Sequence, residues 1–275
     1  MKPILCYGEV LWDLLPGGKV LGGAPLNVAY RLQEFGQRVL LVSSVGNDQL
    51  GKEIKARINA LGVSNLLNVH STLSTGVVEV TIQPDGSANY LITEPVAWDE
   101  IPFEGAWYGD LLFGSLALRN IHNQDLVARL IQTSNRVFFD VNLRAPFINY
   151  TLIESLIDKC TIVKFNEEEF EWFAQQQNWE SGESAGLEAF KNKYPGVQLC
   201  ITKGEDGAIL MTDRGIYQAN APQVNVQDTI GAGDAFFARL IAGYLRGESA
   251  QLLLQESCQV GAIVATQKGA TSPLK

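Results

Sequence analysis

Residues 137–176 read VFFDVNLRAPFINYTLIESLIDKCTIVKFNEEEFEWFAQQ. Residues 137–139 and 162–165 are short, unbroken apolar runs, while 149–158 and 167–176 read as amphipathic helices. Strand, helix, strand, helix in that order predicts parallel strands joined by helical crossovers and buried on both faces. The same alternation runs outward in both directions. Toward the start, Ile4–Tyr7 is a strand and 25–35 a helix, with Pro25 in the first turn where a missing N–H costs nothing. A strand follows at 38–45. Asp48 then caps a helix that runs to about Ala60 and stops at Gly62. Residues 111–113 are a further strand and 123–133 a helix; toward the end come a helix at 183–193 and a strand at 199–202. Repeated units of this kind predict an α/β fold with a doubly wound, mostly parallel, Rossmann-like sheet.

Two segments break the rhythm. Residues 10–15 follow the first strand with no helix between. Residues 75–93 hold two β-rich runs separated by Pro84-Asp85-Gly86, a hairpin signal. Together, about 10–16 and 74–100, they predict a small antiparallel β-sheet lid inserted in one domain that spans 1–275.

The chain has 275 residues, 46% of them hydrophobic, enough for one large domain with a full core. Its formal charge of −9 disfavours nucleic acid and anionic membrane surfaces as partners. No apolar run approaches the length of a membrane span, and the start MKPILCYGEV reads as a strand rather than a signal peptide. Cys6, Cys160, Cys200 and Cys258 form no CxxC pair and read as buried, reduced thiols of a cytoplasmic protein. His70 and His122, the only histidines, are too isolated for a histidine metal site and read as surface or loop residues.

The sharpest chemical signal is Asp228-Thr229-Ile230-Gly231-Ala232-Gly233-Asp234-Ala235-Phe236. Gly231 and Gly233 open a helix that runs to about Arg246. Backbone N–H groups and the helix dipole at such a turn cradle an anion. Asp234, in the first turn, puts a carboxylate beside that anion, where it can take the proton of an attacking hydroxyl. A plain helix cap is the alternative for a lone Gly-x-Gly-Asp. A nicotinamide-dependent dehydrogenase is disfavoured, because no Gly-x-Gly-x-x-Gly follows the first strand.

The nine-residue string resembles the C-terminal signature of the ribokinase-like, or PfkB, carbohydrate kinases. Other matches fall in the family's order: Gly8-Glu9-Val10-Leu11-Trp12-Asp13, Gly22-Gly23-Ala24-Pro25-Leu26-Asn27, Asp140-Val141-Asn142-Leu143-Arg144, Lys164-Phe165-Asn166-Glu167-Glu168-Glu169, Thr202-Lys203-Gly204-Glu205-Asp206-Gly207 and Lys268-Gly269-Ala270. The resemblance implies ATP-dependent phosphorylation of a primary sugar hydroxyl, with Asp234 as base and Gly231, Ala232 and Gly233 around the transferring phosphoryl group. It implies that Asp13, Gly22, Gly23, Asn27, Asn142 and Arg144 bind the sugar. Asn166, Thr202, Lys203, Gly204 and Gly207 would bind ATP together with Gly231 and Gly233. Glu169 would meet Mg2+ through water, and Asp228 with the Ile230 carbonyl would hold a monovalent cation such as K+. The stretch 95–101 is similar to fructokinase-type members, so fructose is the first-choice substrate. Ribose and 2-keto-3-deoxygluconate are alternatives, and a non-catalytic sugar or nucleotide sensor is the rival from another class. Asn89-Tyr90-Leu91-Ile92-Thr93-Glu94 has no basic residue where the family carries an arginine-rich lid stretch. Lid strands of the family often pair between subunits, which implies a homodimer.

Overall fold

A computed structural model of the chain describes residues 2–15, 17–82 and 88–274. The main sheet has nine strands in the order β13-β12-β11-β10-β9-β8-β1-β4-β5. They are β1 (Ile4–Tyr7), β4 (Val39–Gly46), β5 (Asn65–His70), β8 (Asp110–Gly114), β9 (Val137–Asp140), β10 (Ile162–Asn166), β11 (Gln198–Thr202), β12 (Ala208–Thr212) and β13 (Gly215–Ala219). From β5 to β11 every neighbouring pair is parallel; β12 and β13 close one edge as an antiparallel meander. The doubly wound, mostly parallel expectation holds.

Helices cover both faces, which is why the strands read as continuous apolar runs. Tyr7, Phe113, Phe139 and Phe165 face one layer. There they meet Leu126 of α3 (Ile121–Thr133), Ile153 of α4 (Tyr150–Ile157), Phe173 of α5 (Glu167–Gln176) and Phe190 of α6 (Glu183–Lys193). Cys6, Leu112, Phe138 and Cys200 face the other. They pack with Leu26 of α1 (Ala24–Glu34), Ile54 of α2 (Gln49–Ala60), Phe237 of α7 (Ala232–Arg246) and Leu254 of α8 (Ala250–Ala265). Asp48 caps α2 as expected, accepting from Gly51 N. All four cysteines are buried free thiols. His122 is exposed in the first turn of α3, whereas His70 is half-buried at the end of β5 and its Nδ1 accepts from Leu73 N at 2.9 Å. No described helix is long and apolar enough to cross a membrane.

A second, four-stranded sheet has the order β3-β2-β6-β7, from β2 (Leu11–Leu15), β3 (Gly18–Gly22), β6 (Val77–Ile82) and β7 (Ala88–Ile92). Its pairing corrects the expectation of a purely antiparallel sheet. The β2/β3 and β6/β7 pairs are antiparallel, but β2 and β6 run parallel. The reason is connectivity: β3, α1, β4, α2 and β5 intervene between β2 and β6, a crossover long enough for parallel pairing. The Pro84-Asp85-Gly86 turn lies outside the described residues. The stretch 74–100 runs past this sheet into a short 3-10 turn, Ala97–Asp99, where Trp98 is fully buried in the main core. Arg119 fixes that turn to the body through Asp99 at 2.6 Å and the Thr93 carbonyl at 2.8 Å.

Candidate active site

The chain leaves β1 for β4 on one side and later resumes at β8 on the other, so the order reverses between β1 and β8. Ligands of open α/β sheets bind outside the carboxyl ends of strands at such a reversal. Asn27 meets Asp234 of α7 there, and Asp13 of the small sheet lies against Gly22.

Helix α7 begins after Gly231, whose left-handed backbone (φ 79°) and packing against Ala270 leave no space for a side chain. Ala235 N to the Gly231 carbonyl, 2.9 Å, is the first rung of the helical ladder. The N–H groups of Gly233 and Asp234 precede that rung and are the free donors of the helix end. The N–H of Ala232 closes a turn onto the Thr229 carbonyl at 3.2 Å, which leaves Gly233 and Asp234 as the donors without a backbone partner among the described residues.

Asp234 is half-buried, and its Oδ2 accepts from Asn27 Nδ2 at 2.8 Å. Desolvation first, and then the charge of Asp140, raise its pKa to about 6 against the pull of Asn27, Lys164 and Arg144. Asn27 was expected on the sugar. The structure spends its amide on the carboxylate of Asp234 and leaves Asn27 Oδ1 buried without a partner among the described residues.

Asp13 lies on β2, and the carboxylate takes the place a side chain on Gly22 would fill: a Cβ there would stand 2.5 Å from Asp13 Oδ2. Burial raises its pKa to about 6, with Arg144 opposing. Gly23 is the N-cap of α1 at φ 118°, pressed on the Glu9 carbonyl. Asn142 holds a left-handed backbone (φ 41°), and exposed Arg144 follows it. The charge of Arg144 pulls down the pKa of Glu9, Asp13 and Asp234 alike.

Three residues quoted in the sequence motifs without a role, Lys164, Asp140 and Glu9, enter the site here. Lys164 of β10 and Asp140 of β9 form a buried ion pair of 2.8 Å. Burial depresses the lysine pKa, but Asp140 and then Glu169 outweigh it and hold the ammonium charged. A Cβ on Gly233 would come 3.8 Å from Lys164 Nζ, so this cation lies under the anion cradle. Glu9 is buried, its Oε1 accepting from Ala24 N at 3.2 Å; desolvation raises its pKa to about 7. A lone lysine in a strand and a glutamate in a turn carry no spacing signal, which is why the sequence left them unassigned.

On the neighbouring side, Asn166 and Glu169 form a reciprocal capping box, each accepting the other's N–H at 2.8 Å. Glu169 Oε1 also accepts from Leu143 N at 2.8 Å, so both carboxylate oxygens hold the backbone. Thr202 ends β11, and the turn through Gly204 closes with Lys203 N to the Gly207 carbonyl at 2.8 Å. The Lys203 ammonium pairs with Glu183 at 2.7 Å and Glu167 at 3.5 Å. Asp228 accepts from Ile230 N at 2.9 Å and Gly269 N at 3.0 Å, bringing the predicted cation-binding segments together. Among the described residues, no three His, Cys, Asp or Glu side chains are grouped to hold a metal ion.

A half-buried carboxylate beside helix-end donors, at the reversal point of a doubly wound sheet, is an arrangement suited to phosphoryl transfer. The chain belongs to the pfkB family of carbohydrate kinases, whose family model matches residues 16–275. It is 28% identical over 265 residues to a fructokinase of Rhizobium leguminosarum bv. trifolii, covering 87% of this chain and 78% of that one. To the aminoimidazole riboside kinase of Salmonella typhimurium it is 27% identical over 302 residues, covering 100% and 92%. The structure of an uncharacterized sugar kinase from Pyrococcus horikoshii in complex with ATP superposes with a TM-score of 0.81 at 27% identity, covering 98% of this chain and 94% of that one. A fructokinase from Vibrio cholerae, with fructose, ADP and calcium bound, shares the fold: TM-score 0.83 at 24% identity, covering 100% and 96%.

Proposed function

We propose that this kinase transfers the γ-phosphoryl group of ATP to a primary hydroxyl of a sugar, with D-fructose the first-choice acceptor. The observation that carries the reading is Asp234: a carboxylate raised toward neutrality and aimed by Asn27 at the free end of α7. The base takes the proton of the attacking hydroxyl as the new P–O bond forms and the bond to the ADP oxygen breaks. The N–H groups of Gly233 and Asp234, with Lys164 beneath, stabilise charge on the transferring group. Asp13, Asn142 and Arg144 grip the sugar hydroxyls, and the small sheet closes over them to exclude water. Thr202, Gly204 and Gly207 line the nucleotide side. Fructose is favoured by the fructokinases among the similar proteins; the aminoimidazole riboside kinase in the same set keeps a riboside as the second acceptor.

Magnesium fits as an ion carried by the ATP phosphates and its own waters, because Glu169 already gives both oxygens to backbone N–H groups. It would neutralise phosphate charge, with Glu169 and Asp140 facing its hydration shell. Asp228, the Ile230 carbonyl and the Gly269 turn form an oxygen-rich set of the kind that suits potassium.

The test is ADP release with ATP, magnesium and a panel of fructose, ribose, 2-keto-3-deoxygluconate and ribosides, with and without potassium. Turnover on fructose far above the others is the expected result. Strong turnover on another sugar replaces the acceptor and keeps the mechanism. ATP binding without turnover on any of them sinks the reading.

A further inference from the structure

Arg31 is a fully buried guanidinium with no part in the scheme above. It lies on α1 four residues beyond Asn27, so the two side chains share a helix face. Its NH1 donates to Glu34 at 2.6 Å and its NH2 to the carbonyl of Ala270 at 2.8 Å, far along the chain. Its Nε finds no partner among the described residues. Burying a cation this completely is expensive, so what it holds is informative.

It holds the wall behind the anion cradle. Ala270 is buried and packs so closely on Gly231 that a Cβ on the glycine would collide with it. The residue before, Gly269, gives its N–H to Asp228, whose other oxygen takes the N–H of Ile230. The turn 268–270 is thus gripped from one side by Asp228 and from the other by Arg31. Gly231, the residue from which α7 starts, rests against it. One face of α1 therefore supports the reacting end of α7 twice: Asn27 holds the base, and Arg31 holds the backstop of the cradle.

We propose that Arg31 is a positioning residue for phosphoryl transfer, fixing Gly231 through the Ala270 carbonyl and with it the N–H donors of Gly233 and Asp234. The catalytic half of this proposal rests on the kinase reading; the mechanical half does not. The competing role is a simple staple for the last residues, since Glu34 also accepts the N–H of Leu274.

The experiment compares the wild type with Arg31→Met and Arg31→Lys by hydrogen–deuterium exchange and by steady-state kinetics. In Arg31→Met, exchange in the 228–236 segment should speed up about tenfold while segments over β9, β10 and α5 stay unchanged. The same variant should lose about tenfold in kcat with the sugar KM shifted less than about twofold, because misplaced donors act on the transition state. Arg31→Lys, which keeps the charge and one donor, should recover part of both; it carries the comparison if Arg31→Met does not fold. Unchanged exchange at 228–236 overturns the proposal. So does loss of protection spread evenly over the chain, or local loosening with kcat intact. If no sugar supports turnover in the wild type, the kinase reading falls, and the exchange experiment still decides what Arg31 holds.

Discussion

Two carboxyl groups on the wall of the cleft have proton affinities set by burial, with different consequences. Asp234 must be ionised to act as a base, and desolvation, then Asp140, put its pKa at about 6. The kcat/KM for the sugar should therefore fall as pH drops through about 6, close to tenfold per unit below it. A limb near 4, the ordinary aspartate range, would reject this assignment. Asp234→Asn should abolish the limb and lower kcat by ~10²–10⁴-fold while ATP still binds, the scale for losing a positioned base. Glu9 acts on stability instead. Its pKa in the fold is about 7, against 4.5 in its ordinary state. Below about 4.5 it is protonated in both the folded and the unfolded chain and costs nothing. Between 4.5 and 7 the unfolded chain gains by ionising it, so stability falls as pH rises. Above 7 the penalty levels off at about 3 kcal/mol. Glu9→Gln should melt above the wild type at pH 8, with the difference vanishing near pH 4.5. An offset independent of pH would show that the carboxyl is not held neutral by its surroundings.

At the scale of elements, most of the buried strands and the helices covering them could be read directly, because a strand apolar on both faces is hard to mistake; β12 and α8 were not read, although β12 is buried and α8 covers the sheet. The helix from Gly231 was equally legible, since the left-handed backbone at its start requires a glycine. Legibility also ended where strands are not buried on both faces. Strand β3, Gly18–Gly22, begins exposed and is rich in glycine, so it reads as a loop. Strand β5 is a sheet edge with Leu66 and Val69 exposed, and its Asn65 and Asn68 break the apolar pattern. In the site, roles that rest on contact were hidden. Nothing in the spacing says that Asn27 would turn to Asp234, that Lys203 would pair with Glu183, or that Lys164 would lie under Gly233. Gly22 shows the reverse case: the motif named the position, and the register of β2 on β3 supplies its cause. A side chain there has to displace the Asp13 carboxylate. Gly22→Ala should raise the sugar KM about tenfold and leave the ATP KM unchanged, since β3 is remote from Thr202 and Gly207. Equal changes in both constants would mean that the substitution disturbs the sheet rather than the sugar contact.

At the scale of the whole molecule, the small sheet is the part whose own surface is least finished. It has two edges, β3 and β7. At the β3 edge, Lys19 pairs with Glu53 and covers the Trp12 ring, a charged guard of the sort that blunts edge pairing. The β7 edge presents Leu91, which is 59% exposed. An exposed leucine on an edge strand next to a site that must exclude water is best covered by a second copy of the same sheet, because a symmetric pair covers the β7 edge of both copies at once. The expected solution species is therefore a dimer of about twice 30.1 kDa by light scattering. Leu91→Lys should shift it to the monomer without lowering the melting temperature of the main domain. If closure of the small sheet depends on that pairing, the same variant should also release ADP without sugar faster than the wild type, as water reaches the γ-phosphate. A wild type that stays monomeric at high concentration removes the dimer and leaves the small sheet to close on its own.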